Sequence, residues 1–165
     1  MKKLALISLL VVAIAVLFFL NGEKISEPIQ AKSINETLNQ ICEGKLDITP
    51  VRVTYDDSHG FHGGLVLSIS GDGSVSQKTE RTEIKPPQKQ ISKDDIQSLV
   101  TLLIKEECWA QMTPPRAAVP DESSARLIIS YENQETMIWE WFNEMTSNDR
   151  IIKIKNHMAM ISTEK

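Results

Sequence analysis

The chain has 165 residues, of which 41% are hydrophobic, 24% charged and 5% aromatic, with a formal net charge of −4. That length suits one compact domain rather than two, and the acid excess excludes a basic nucleic-acid-binding surface. The averages conceal an asymmetry: residues 4–20 hold 16 apolar residues and one serine, whereas residues 23–165 are about 36% hydrophobic and carry a net charge of −6.

The N-terminus reads as two lysines, an unbroken apolar run and a polar exit. A helix satisfies its own backbone groups in lipid, so such a run inserts at little polar cost. Seventeen residues at ~1.5 Å each reach about 25 Å, at the short limit for a ~30 Å hydrocarbon core. Lys2 and Lys3 would stay on the cytoplasmic side, placing residues 21–165 outside. Residues 1–22 are therefore read as a membrane anchor or signal peptide. The anchor is favoured, because Leu20 and Gly22 make a poor cleavage pair and Ala13–Ile14–Ala15 lies inside the apolar run. The partner implied is the membrane, through residues 4–20, with the domain in the periplasm or outside the cell; cleavage would instead release it as a secreted protein.

Residues 23–32 are polar with one proline and read as a tether. Residues 33–165 then form a single extracytoplasmic domain. Ser33, with Glu36 three residues on, predicts a capped helix start. Ile34, Leu38, Ile41 and Cys42 fall near one face of that helix, and Gly44 stops it. Val51–Tyr55 and Leu65–Ser70 alternate as strands, and Gly71–Asp72–Gly73 predicts a hairpin turn into a third strand. That strand is expected to run from Ser74 until Pro86–Pro87 end it.

Ser92 caps the clearest helix, with Asp94 and Asp95 at its positive end. Its apolar stripe is Ile96, Leu99, Val100, Leu103 and Ile104. Residues 113–124 carry three prolines and form a long loop. Arg126–Tyr131 and Glu135–Phe142 read as two strands joined around Asn133–Gln134. Ser147 can cap a last helix whose inner face is Ile151, Ile154, Met158 and Ile161. Hairpins with few crossovers give the α+β class: an antiparallel sheet with helices packed mainly on one face, preceded by the N-terminal transmembrane or signal helix.

The succession LVLSISGDGSV, a charged return strand, ISKDDIQSLVTLL, a loop and two more strands resembles uncharacterised bacterial envelope and lipoprotein-type domains of unknown function. The likeness covers roughly residues 50–161. This chain departs from many of those domains in having no lipid-modified cysteine and no Cys-Pro pair in its first strand. The resemblance implies fold and location and carries no activity.

Cys42 and Cys108 make an even pair, which in an oxidising compartment predicts a disulfide, set against two buried free thiols. Asp57, His59 and His62 lie in a loop with three glycines and could hold a divalent transition metal through nitrogen and carboxylate. The alternative is a polar connection whose glycines serve a turn. Trp139 and Trp141 share a face with Met137, while Ile138 and Phe142 point the other way. The tryptophans are either an exposed binding strip or, the preferred expectation, part of the core. No catalytic constellation or cofactor motif stands out, so no catalytic residue and no cofactor is assigned. The expected function is a non-catalytic binding or structural role, with an envelope protein or wall component as partner. The alternatives are a metal-dependent enzyme built on the 56–64 loop, and an inhibitor or assembly factor of an envelope protein.

Overall fold

The computed structural model describes residues 29–58, 64–79, 90–117, 122–145 and 147–163. The apolar run at 4–20, most of the tether, and His59 and His62 lie outside them. Among the described residues no helix is long and apolar enough to cross a membrane.

In chain order the elements are α1 (Ile29–Cys42), β1 (Val51–Asp56), β2 (Leu65–Ser70), β3 (Val75–Thr79), α2 (Lys93–Lys105), β4 (Ser124–Tyr131), β5 (Gln134–Trp141) and α3 (Arg150–Thr163). A short 3-10 turn at Phe142–Glu144 follows β5. The five strands form one antiparallel sheet in the order β3-β2-β1-β4-β5. The fold is thus α+β.

Strand pairing sets the core face. Val53 lies opposite Ile69 on one side and Ile129 on the other, and Leu127 lies opposite Ile138. Residues opposite one another share a face, so these side chains form one buried layer. Onto it pack Ile34, Leu38 and Ile41 of α1, Ile96, Leu99, Val100 and Leu103 of α2, and Ile151, Ile154, Met158 and Ile161 of α3. The chain crosses from the β3 edge through α2 to place β4 beside β1, which puts the oldest and newest strand pairs in one core.

Local chemistry explains the element ends. Ser92 caps α2 reciprocally: its hydroxyl accepts from the Asp95 N–H, and the Asp95 carboxylate accepts from the Ser92 N–H. At the β2–β3 turn Gly73 sits at φ 89° and donates to the Ser70 carbonyl, while Ser74 donates to the Asp72 carboxylate. Gly73 also accepts from the Ile91 N–H, which ties the start of the α2 segment to this hairpin.

Several finer expectations change. α1 already includes Ile29, Gln30, Ala31 and Lys32, so Ser33 lies inside the helix rather than capping it. Glutamine, alanine and lysine are good helix formers and extend the helix into the expected tether. Ser147 does not cap α3; its hydroxyl donates back to the Glu144 carbonyl, and the Asp149 carbonyl takes the first helical bond, from Lys153. The last hairpin turns at Glu132–Asn133, one residue earlier than expected, with Glu132 at φ 51°. Strand β5 turns Ile138 and Glu140 inward, so Trp139 and Trp141 leave the core and face the other side of the sheet.

Candidate functional site

Asp57 is the first of the sequence-selected residues whose surroundings are fixed. It is buried just beyond β1, and its carboxylate accepts from the Tyr55 hydroxyl at 2.8 Å and from the Leu65 N–H. Its own N–H donates to the Leu65 carbonyl at 3.0 Å, so Asp57 closes the mouth of the β1–β2 connection. The Lys155 ammonium of α3 lies 3.7 Å from the carboxylate and 4.9 Å from the Tyr55 ring centroid. Burial, and then the Asp57 carboxylate, raise the Tyr55 phenol well above its ordinary range. Both carboxylate oxygens of Asp57 are therefore engaged in holding the loop's base. Among the described residues no group of three His, Cys, Asp or Glu side chains could hold a metal ion.

Cys42 and Cys108 are free thiols in the structure, and the expected link between them is not formed. Cys42 is exposed at the end of α1, where the Gln97 amide of α2 donates to its sulfur at 3.3 Å. Cys108 is buried past the end of α2 and faces the Glu106 carbonyl at 3.8 Å. Burial pushes its thiol up to about 12, with the nearby Arg150 acting in the opposite direction.

The tryptophans define the most developed surface. Their rings meet edge to face, with centroids 5.1 Å apart and planes at 75°. Both are half-buried, and Met137 beside them is 49% exposed. Cross-strand neighbours on this face are Arg126 opposite Trp139 and Ile128 opposite Met137, with Thr54 next to Ile128 on β1. Among the described residues no helix covers this side of the sheet.

A segment that the sequence marks only as a proline-rich loop shapes one end of this surface. Gln111 pairs with the backbone of Trp139, donating to its carbonyl and accepting from its N–H, both at 2.9 Å. Thr113 turns inward and donates to the Glu140 carboxylate at 2.5 Å. Arg116 lies 4.6 Å over the Trp141 ring. Its guanidinium donates to Glu144, to both oxygens of Glu122 and to the Ala117 carbonyl. These two carboxylates, Glu122 first, raise its pKa further and leave no donor for an outside anion. The Trp141 Nε1–H is buried without a partner among the described residues.

Beneath the loop, Glu140 is 1% exposed and has no cation against it among the described residues; it accepts from Thr113, from the Asn148 amide and from the Trp141 N–H. Asn148 in turn accepts from Arg150, whose guanidinium also donates to the carbonyls of Glu106, Glu107 and Ala110. One polar chain thereby joins β5, the 111–116 loop, the start of α3 and the end of α2.

Compared with known protein families, curated proteins and solved structures, the chain finds no match. The sequence places Trp139 and Trp141 on a common face correctly, but it gives no sign of Gln111, Thr113, Arg116 or Glu140. Their partners lie far along the chain, and no local spacing announces them.

Proposed function

We propose that the chain is an extracytoplasmic binding module, held at the membrane by residues 4–20 or released by cleavage, whose open sheet face engages an envelope protein or wall component. The observation that supports this most is the pairing of a fully packed inner face with an outer face where Trp139, Trp141 and Met137 stay partly exposed. The 111–116 loop engages this row at one end, through the Trp139 backbone and the Trp141 ring. Apolar and aromatic groups kept ordered at a solvent face are the composition of binding hot spots.

The test has two parts. Protease treatment of intact cells or spheroplasts should digest the domain without lysis, and protection until lysis would refute the location. In cross-linked membranes, the wild-type chain should capture a partner that Trp139→Ala loses at least tenfold while keeping its circular dichroism spectrum. Equal capture by the two chains would refute the use of this face.

A further inference from the structure

Strand β5 is an edge of the sheet, and one of its rungs is already occupied by a side chain. In a hairpin with a two-residue turn, the residues flanking the turn exchange hydrogen bonds, and every second pair does likewise. Here those pairs are Tyr131–Gln134, Ile129–Thr136, Leu127–Ile138 and Ala125–Glu140. The backbone groups of Glu135, Met137 and Trp139 consequently point away from the sheet. Those of Trp139 are taken by the Gln111 carboxamide, which sits where a peptide group of a neighbouring strand would sit. Those of Glu135 and Met137 have no partner among the described residues.

We propose that Gln111 is a plug that holds β5 back from antiparallel pairing with β5 of a second copy of this chain. The edge is self-complementary about Met137. A two-fold axis there pairs Met137 with Met137 of the second copy, and Glu135 with Trp139 of the second copy in both directions. Glu135, the charged side chain on the outer face of β5, then meets an aromatic ring rather than another carboxylate. Met137 and Met112, 49% and 51% exposed, are two of the exposed large hydrophobic residues, and they lie on this edge and next to the plug.

The plug blocks this register selectively. Both outer rungs use Trp139 of one copy, so with Gln111 seated only the Met137 rung remains. A register shifted one residue toward the turn avoids Trp139, but it runs out of strand at Asn133. Exposed edges of this length pair readily unless something interrupts them. The inference does not depend on what the open face binds.

The test is sedimentation of the full chain in detergent micelles. Gln111→Ala should strengthen self-association at least tenfold over wild type, and Gln111→Asn, too short to reach both backbone groups, should do the same. In the Gln111→Ala background, Met137→Lys and Met137→Glu should each abolish the gain, because the axis sets like charges face to face. Mixing those two chains should restore it. Unchanged association in both Gln111 variants would overturn the proposal. So would stronger association of the Met137→Lys chain alone, since that signals pairing with Glu135, or a foreign peptide found on the edge in place of a second copy.

Discussion

Cys108 shows how a single buried group ties stability to solution conditions. The Cys108 thiol titrates at about 12 in the fold against 9.0 for an ordinary thiol, chiefly because burial disfavours the thiolate. A pKa raised by folding contributes stability that is intact below the unfolded value and lost as the pH climbs toward the folded one. The loss should begin above about pH 9 and reach about 1 kcal/mol by pH 10. Tyr55, raised from 10.0 by burial and by Asp57, adds a loss of the same sign at higher pH. Urea midpoints at pH 8 and pH 10 check this, and Cys108→Ala should flatten the difference. An aromatic disulfide reagent at pH 8 should label Cys42 at once and Cys108 only as the protein unfolds, since one is exposed and the other buried. Glu140 is sensitive in another way. Its removal strands the buried Thr113 hydroxyl and leaves the half-buried Asn148 amide without its partner. Glu140→Ala should therefore cost about 3 kcal/mol in chemical denaturation.

At the scale of elements, α2 and the β2–β3 hairpin were legible because their determinants are local. Ser92, Asp95 and the stripe from Ile96 to Leu103 lie within one window, and Gly73 supplies the left-handed turn residue within its own hairpin. Strand β5 presents its faces the opposite way from the expectation that its tryptophans are core. Its alternation offers two apolar rows, Met137–Trp139–Trp141 and Ile138–Phe142, and side-chain size favours the wrong one. What decides is Glu140, which can be buried only because Thr113, 27 residues away, and Asn148 satisfy it. The candidate surface was legible as a pair of tryptophans and illegible as a built site, since Gln111 and Arg116 reach it from a loop with no periodic pattern. The face assignment has a direct check. Iodide should quench the Trp139 and Trp141 emission to an extent intermediate between free tryptophan and the buried Trp109. Trp139→Ala should cost about 1–2 kcal/mol, less than the ~3–5 kcal/mol of a fully buried tryptophan.

For the whole molecule, the arrangement of layers defines what folds. The buried layer runs from Ile34 on α1 to Ile161 on α3 and closes over a single face of the sheet. Its polar chain, from Glu140 through Asn148 and Arg150 to the end of α2, binds the C-terminal helix to the sheet and so completes the domain late in the sequence. The role proposed for the apolar run at 4–20 is to hold the chain at the membrane, and its 16 apolar residues and one serine are the composition that role requires. Hydrophobic residues before Asn21 should then contribute to location and not to folding. A chain beginning at Glu27 keeps all of α1 and every residue of the buried layer. It should show the same unfolding free energy in urea as the full chain in detergent, within about 0.5 kcal/mol, and should move from the membrane pellet to the supernatant on fractionation. A large loss of stability on truncation would instead mean that the apolar run packs against the domain, and the two-part division of the chain would fail.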